Sequence, residues 1–272
     1  MSLRIQNNVE AFNAHRQLTH TSELQSKSME KLSSGYRINR AADDAAGLAI
    51  SEKLRAQVSG LDQAARNAQD AISLVQTGEG AMAEVHTMLQ RLRDLAVQFN
   101  NGTLSSSDQA AITDEVGQLC AEVNRIGADT KFNGIALLTG SSSITFQIGA
   151  EAGQTLAVSG ISMFGTGSSY TIDKSVFSFS GAISLTNIDL AIANVSSARS
   201  TFGAVQNRLE HTLNNLTSYQ ENLQASESRI RDVDMAKEMV NFTKLQILSQ
   251  AGTAMLAQAN QSSQSVLTLL RG

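Results

Sequence analysis

The stretch LRAQVSGLDQAARNAQDAISLV, residues 54–75, carries apolar side chains at alternating spacings of four and three. The seven positions are Leu54, Val58, Leu61, Ala65, Ala68, Ile72 and Val75. Because an α-helix turns once in about 3.6 residues, this spacing places all seven along one face, in the pattern of a coiled-coil seam. Such a seam has to be covered by another helix. The stretch therefore predicts a long helix that packs against helical partners.

The same alternation extends in both directions from this stretch and predicts long helices at about residues 46–99, 106–128 and 187–230. Shorter terminal helices are predicted from Ile5 and from Met235. Between them, at about 132–184, Asn133-Gly134 signals a turn, and Ile144, Phe146 and Ile148 alternate with polar residues as in a strand. The predicted fold class is mainly α: a long antiparallel helical bundle or coiled coil with a small β-hairpin region in the middle of the chain.

Composition supports the helical fold and excludes several functional classes. The chain has 272 residues and no proline, and only 4% of them are aromatic, which suits long helices packed through small aliphatic side chains. A net charge of -4 argues against nucleic-acid binding. No apolar run is long enough to cross a membrane, and residues 1–21 lack the apolar core of a cleaved signal peptide. If the protein leaves the cell, it must use a route that needs no such signal.

No residue pattern in the chain predicts catalysis, a metal or a cofactor. The four histidines are not paired at ligand spacing, and the His-Glu-x-x-His pattern of zinc peptidases is absent. Gly78-Glu79-Gly80 lies inside a helical pattern with no strand before it, which favours close helix approach or a bend over a phosphate-binding loop. Cys120 is the only cysteine and is expected to be buried. A secreted enzyme is the alternative class, and a hydrolase screen would test it.

The terminal helices carry apolar residues that a bundle of the long helices cannot cover. Ile5, Val9 and Phe12 share one face near the N-terminus, and near the C-terminus the corresponding residues are Met255, Ala259 and Val266. A long exposed apolar stripe marks an interaction surface. We expect the ends to be disordered in the isolated chain and ordered once other molecules cover them. The residues alone do not specify what those molecules are.

Four stretches resemble bacterial flagellins: KLSSGYRIN at 31–39, DDAAGLAI at 43–50, SRIRDVD at 228–234, and AQANQ at 257–261 leading to VLTLLR at 266–271. Their order, and their presence at both ends of one chain, make the resemblance specific. It covers about residues 1–140 and 187–272. The short middle region is similar to that of a minimal flagellin without large variable domains.

The resemblance implies a structural, non-enzymatic subunit that polymerises into the flagellar filament for swimming motility. Residues 1–33 and 236–272 would form an inner coiled coil, 34–45 a connecting spoke, and 46–235 an outer tube domain. Subunit contacts in the inner coiled coil would include Ile5, Val9, Phe12, Met255, Ala259, Val266, Leu269 and Leu270. Expected partners are identical subunits, the flagellar cap and hook-junction proteins, and an export chaperone, and the expected location is extracellular. A hook–filament junction protein of the same family is the alternative.

The stretch QRLRDLAV at 90–97 resembles the segment of flagellins that an animal Toll-like receptor recognises. The resemblance implies receptor contacts by Gln90, Arg91, Leu95 and Glu115. Asp94 stands where the family usually has Glu, which puts activation of that receptor in doubt. Contacts between subunits in the filament are an alternative role for the same residues, and the two roles are compatible.

Overall fold

A computed structural model describes residues 8–139, 143–159 and 184–271, with side chains up to residue 261. In these ranges the elements run, in chain order, α1 (Val9–Ser34), α2 (Ala45–Phe99), α3 (Ser106–Asp129), β1 (Lys131–Phe132), β2 (Ile135–Ala136), β3 (Ser143–Gln147), β4 (Thr155–Ser159), α4 (Leu185–Arg231) and α5 (Met235–Arg271). Helices account for 79% of the structure. The mainly α fold with a small antiparallel strand region in the middle is confirmed.

The helix α2 runs without interruption through 55 residues, a length of about 80 Å at roughly 1.5 Å per residue. Gly78 and Gly80 lie within it and do not end it. A Cβ placed on Gly78 would lie 2.6 Å from Cε2 of Phe202 on α4. Close helix approach at this glycine, predicted from the sequence, is therefore confirmed.

Local hydrogen bonds define the helix ends. Asn8 caps α1 by accepting a hydrogen bond from the N–H of Ala11 at 3.1 Å. Gly35 ends α1 with a φ of 76°, a conformation that glycine adopts at no steric cost, and donates its N–H to the carbonyl of Lys31. Before α3, Ser105 and Asp108 form a capping box.

Two short hairpins follow α3. The β1–β2 turn is Asn133-Gly134, with φ angles of 49° and 79°, as the sequence signal predicts. In the second hairpin, Ile144 pairs with Val158 and Phe146 with Leu156, so the alternating apolar residues share one face. Leu156 and Val158 are buried. The rest of the predicted hairpin region, residues 140–142 and 160–183, lies outside the described residues.

The chain divides into two compact units. The central unit is Gln57–Glu221, and its core draws on α2, α3, α4 and β4. Its most deeply buried large side chains include Met82, Leu89, Leu92, Leu95, Phe202 and Leu209. The terminal unit is Met1–Ala56 together with Asn222–Gly272. It contains α1, the first turns of α2, the last turns of α4, and α5.

In the terminal unit, α1 and α5 lie antiparallel and close together. Asn8 donates to the carbonyl of Ala259 at 2.9 Å, and Ser28 donates to Glu238 Oε1 at 2.5 Å. Between these contacts, a Cβ on Gly252 would lie 3.2 Å from Cδ1 of Leu18. The covered positions alternate by three and four: Ala11, Ala14, Leu18, Thr21, Gln25, Ser28 and Leu32 on α1, and Glu238, Phe242, Leu245, Ser249, Gly252, Leu256 and Ala259 on α5. We call these positions the inner seam.

Candidate functional site: the outer apolar faces of the terminal helices

The inner seam leaves large apolar side chains of both terminal helices facing away from the partner helix. Phe12 is 71% exposed and Met255 63% exposed, although both are side chains that folded proteins usually bury. The other exposed large apolar residues are Val9, Leu24 and Met29 on α1, and Met235, Met239, Val240, Ile247 and Leu248 on α5. We call these two sets the outer apolar faces.

On α5 the outer apolar face forms a shallow groove. It is lined by Met239, Val240, Thr243, Lys244, Ile247 and Leu248. These residues recur at a spacing of four in two adjacent rows, so the groove follows the helix axis. The hydroxyl of Thr243 donates to the carbonyl of Met239 at 2.8 Å, which satisfies it within the helix. Lys244 supplies the one charge among the lining residues, so the groove suits an apolar partner surface.

The inner seam contains small and polar side chains that bring the two helices close together. Ser28 and Thr21 are buried, and each hydroxyl has a hydrogen-bond acceptor: Glu238 for Ser28, and the carbonyl of Gln17 for Thr21. Small side chains such as these, with Gly252, let the two backbones approach closely. The seam also takes up some larger apolar side chains, which are half-buried: Leu18, Leu32, Phe242, Leu245 and Leu256. The remaining large apolar residues project from the other faces. The pair is thus complete on its inner side and leaves apolar surface uncovered on its outer side.

The structure places the predicted subunit-contact residues in different surroundings. Val9, Phe12 and Met255 are on the outer apolar faces. Ala259 is 9% exposed and belongs to the inner seam, beside Asn8. Ile5 lies outside the described residues. Val266, Leu269 and Leu270 lie in the last turns of α5, beyond the side chains that the structure describes.

The second predicted group combines a surface ion pair with a buried residue. Arg91 on α2 donates through Nη2 and Nε to Glu115 Oε1 on α3, at 2.7 and 2.9 Å. Gln90 is exposed beside them. Leu95 is only 2% exposed and faces the core of the central unit, so it lies beneath this surface rather than on it. The three surface residues of the group are therefore Gln90, Arg91 and Glu115.

A neighbouring ion pair was not apparent from the sequence. Arg93 Nε donates to Asp189 Oδ1 on α4 at 2.7 Å, and this hydrogen bond raises the pKa of Arg93 above its ordinary value. The partners are 96 residues apart, so no local pattern connects them. Arg91 and Arg93 thus fasten α2 to α3 and to α4 respectively.

Other kinds of site find little support among the described residues. No three of their His, Cys, Asp and Glu side chains come together as a metal site would require. No helix in the described ranges combines the length and hydropathy of a membrane-crossing segment. The prediction that the protein has no metal, cofactor or catalytic site stays a prediction.

Comparison with known families assigns the helices on both sides of the hairpins. Residues 5–143 match the bacterial flagellin N-terminal helical region, and residues 185–270 match the bacterial flagellin C-terminal helical region. The chain belongs to the bacterial flagellin family. The predicted resemblance is confirmed.

Individual flagellins match over nearly their whole length. The chain is 52% identical to a flagellin of Halalkalibacterium halodurans, over 98% of this chain and 99% of that protein. It is 48% identical to the flagellin of Bacillus subtilis, over 99% and 100%. It is 47% identical to the flagellar filament 33 kDa core protein of Treponema phagedenis, over 98% and 99%. The family's role is structural, and this chain is a structural subunit of the flagellar filament.

Two solved structures resemble the chain over part of its length. The crystal structure of Bacillus cereus flagellin is 33% identical, with a TM-score of 0.48, and covers 60% of this chain and 94% of its own. A putative flagellar hook-associated protein from Vibrio parahaemolyticus is 16% identical, with a TM-score of 0.59, over 70% and 100%. The second likeness concerns the fold alone. Because the full-length relatives are named flagellin or flagellar filament core protein, the comparisons do not favour the alternative of a hook–filament junction protein.

Proposed function

We propose that this flagellin enters the filament through the outer apolar faces of α1 and α5, which pack against sister subunits. The observation that carries the proposal is the exposure of Phe12, Met255 and their neighbours on helices whose inner sides are already paired. Burial of apolar area stabilises association by roughly 25 cal/mol per Å², or about 1.5–3 kcal/mol for a fully buried Leu, Ile, Phe or Met. Burial of such residues on both faces would favour polymerisation.

The contacts must be heterologous to give an open filament. A surface that meets a different surface on the next copy propagates as a helix unless the rotation closes a ring. The outer apolar faces lie on two different helices, so a sister subunit can present the α1 face to the α5 face. A repeat of that contact would build a continuous apolar layer from identical chains.

The proposed layers of the filament follow the helix ends. Residues 1–33 and 236–272 would form the inner coiled coil, residues 34–45 the spoke, and residues 46–235 the outer tube domain. In support, α1 ends at Ser34, α2 begins at Ala45, and α4 gives way to α5 between Arg231 and Met235.

The same apolar faces need protection before assembly. We propose that an export chaperone covers α5 inside the cell and that the chain is secreted to the outside of the cell. There it would fold beneath the cap, on a growing filament that starts at the hook-junction proteins. The groove along Met239, Val240 and Ile247 has the apolar lining that a helical chaperone surface would match.

The surface of Gln90, Arg91 and Glu115 is proposed as a subunit contact and as the part recognised by an animal Toll-like receptor. Leu95 would contribute by holding α2 in place from beneath. An arginine at the centre of an interface can contribute several kcal/mol to binding. Its bond to Glu115 would keep the guanidinium ordered before either partner arrives.

The first test removes apolar side chains from the α5 face. Val240→Ser together with Ile247→Ser takes away two side chains that are 69% and 60% exposed. If each contributes about 1 kcal/mol, the critical concentration for polymerisation should rise roughly 30-fold. The matched control, Asn241→Ser with Gln246→Ser, changes exposed polar residues of the same helix and should leave it within about twofold. Sedimentation of polymer at several protein concentrations measures both, and equal critical concentrations for the two double variants would contradict the proposal.

The second test removes α5 entirely. Deletion of residues 236–272 takes away one outer apolar face and the partner of α1, whereas the described core of the central unit contains no α5 residue. The truncated chain should keep its cooperative unfolding transition and lose polymerisation. Circular dichroism and sedimentation read these two properties separately. Filaments of ordinary stability from the truncated chain would overturn the proposal.

A further inference from the structure

We propose that Arg231 is a positioning residue for assembly: it clamps the two connectors of the terminal unit and so sets the direction in which α5 leaves α4. The first connector is residues 35–44, between α1 and α2, and the second is residues 232–234, between α4 and α5. The proposal rests on the chain being a filament subunit. It does not depend on which apolar face meets a sister subunit.

Backbone hydrogen bonds join the two connectors. Tyr36 and Asp232 form an isolated antiparallel β-bridge. On either side of it, the N–H of Arg37 donates to the carbonyl of Arg231 at 2.6 Å, and the N–H of Val233 donates to the carbonyl of Gly35 at 3.0 Å. Two hydrogen bonds outside any sheet are weak by themselves, because water competes for every partner. The bridge therefore needs side chains that exclude water and hold its two strands together.

The side chain of Arg231 both excludes water from the bridge and holds its two strands together. It is only 12% exposed, which is unusual for an arginine. Its Nη1 donates to Glu52 Oε1 on α2 at 2.6 Å, and its Cζ lies 4.8 Å from the centre of the Tyr36 ring. The planar guanidinium can stack on the ring and bind a carboxylate through its edge at the same time, which a lysine cannot do. One side chain at the end of α4 thus holds the first connector and the first turns of α2.

Further contacts keep the first connector from moving as a flexible linker. The guanidinium of Arg37 donates to the carbonyl of Ile230 at 2.5 Å, so the chain is fastened on both sides of Tyr36. Ile38 is buried, and a Cβ on Gly47 would lie 2.8 Å from its Cδ1, so a larger residue at this position of α2 would have to displace the Ile38 side chain. Arg40 pairs with Glu30 of α1 at 2.9 Å. These contacts each join two segments, whereas the side chain of Arg231 links the end of α4 both to Tyr36 and to Glu52.

The position of the clamp gives it leverage over assembly. The helix α5 has 37 residues and extends about 55 Å from the second connector. A tilt of about 10° at the connector would therefore displace the far end of α5 by roughly 10 Å, the distance between the axes of two packed helices. Subunits whose connectors differ in this way cannot repeat one helical contact along a filament. Arg231 therefore keeps the angle between α4 and α5, the joint, the same in every subunit, and it does not set the affinity of the outer apolar faces.

The experiment uses filaments of the full chain and five variants. Arg231→Ala removes the clamp, and Arg231→Lys keeps the charge but loses the planar fork. Arg231→Glu reverses the charge, and its combination with Glu52→Arg restores an ion pair in the opposite sense. The matched control is Arg229→Ala, because the side-chain contact that the structure gives Arg229 is a bond to Ser226 on its own helix. Sedimentation measures polymerisation separately, so a weakened apolar face is distinguishable from a loosened joint.

Two readouts report on the joint. Hydrogen exchange follows the amides of Arg37 and Val233, which donate across the bridge, and electron microscopy gives the helical rise and twist of the filament. Arg231→Ala and Arg231→Glu should speed exchange of both amides more than tenfold and change or broaden the twist. Arg231→Lys should fall between Arg231→Ala and wild type, and adding Glu52→Arg to Arg231→Glu should recover part of the protection. Wild-type exchange and twist in Arg231→Ala, or equal changes in the Arg229→Ala control, would overturn the assignment.

Discussion

Two glycines of α2, Gly78 and Gly80, should respond differently to alanine, which should stabilise the protein at Gly80 but not at Gly78. Both lie in one uninterrupted helix, two residues apart, so their backbone settings match. Gly80 is exposed, and no described atom lies within 4 Å of where its Cβ would be. Gly78 is buried, and its Cβ would lie 2.6 Å from Cε2 of Phe202. Alanine at Gly80 therefore reports the effect of helix propensity alone, and alanine at Gly78 reports that effect together with the effect of core packing.

The magnitudes follow from these two environments. Replacing a helical glycine with alanine stabilises by about 0.8–1 kcal/mol, which is the whole effect expected for Gly80→Ala. The same gain applies at Gly78, but Phe202 is 2% exposed and must move against a close-packed core, which costs about 1–3 kcal/mol. Gly78→Ala should therefore range from about neutral to destabilising by about 2 kcal/mol. The two variants should differ by about 1–3 kcal/mol.

Urea unfolding of the monomer, followed by far-ultraviolet circular dichroism, measures this difference. If the two variants show the same dependence of unfolding free energy on urea concentration, the order of their urea midpoints and the difference between them are sufficient. Gly78→Ala combined with Phe202→Leu serves as the control, since a smaller side chain should relieve the crowding and recover part of the lost stability. A Gly78→Ala midpoint at or above that of Gly80→Ala would show that the contact with Phe202 does not constrain this position.

Three further predictions concern single side chains. Burial raises the pKa of the Cys120 thiol from 9.0 to about 11, so the thiol ionises at lower pH in the unfolded chain than in the folded one. Wild type should therefore lose stability relative to Cys120→Ala between pH 9 and 11. Urea midpoints of the two proteins measure this loss, and a difference between the midpoints that stays constant over that range would contradict it. The backbone N–H of Arg40 donates to the Asp43 carboxylate and lowers its pKa below the ordinary value of 3.8, so the turn at residues 39–43 should persist at pH 3.8 and loosen only at lower pH. The pH dependence of the Arg40 amide signal measures this, and a midpoint at or above 3.8 would refute it. Arg91→Ala should weaken both filament assembly and activation of the flagellin receptor in reporter cells. Arg125→Ala, which loses only pairs with Glu122 and Asp129 on its own helix, should weaken neither. Unchanged receptor potency of Arg91→Ala would show that Arg91 is not part of the receptor surface.

Apolar spacing was enough to place α2, α3, α4 and α5 to within about two residues, whereas α1 begins at Val9 and not at the predicted Ile5. The seam around residues 54–75 predicted α2, and the helix predicted at about residues 187–230 corresponds to α4, which ends at Arg231. The turn at Asn133-Gly134 was predictable because few residue pairs accept positive φ angles in succession. These features depend on side chains close together in the chain, and backbone sterics act over the same short range.

The candidate site was only half predictable. The exposure of Val9 and Phe12 followed from their spacing, but the side of α1 that pairs with α5 did not. The inner seam contains Thr21, Gln25 and Ser28, which read as surface residues until Glu238 and Gly252 are placed opposite them. Which face of a helix is covered depends on the partner, and here the partner lies more than 200 residues away.

Tertiary structure also decided the role of individual charged and apolar residues. Leu95 belongs to the stretch that resembles a receptor contact, yet its side chain faces the core because α2 is covered on that side. Arg231 is one of two arginines in the last turn of α4, and only its position beside Tyr36 and Glu52 sets it apart. Helix formation depends on residues close together in the chain. Burial and ion pairing arise when distant segments come into contact, and the spacing of residues along the chain does not predict those contacts.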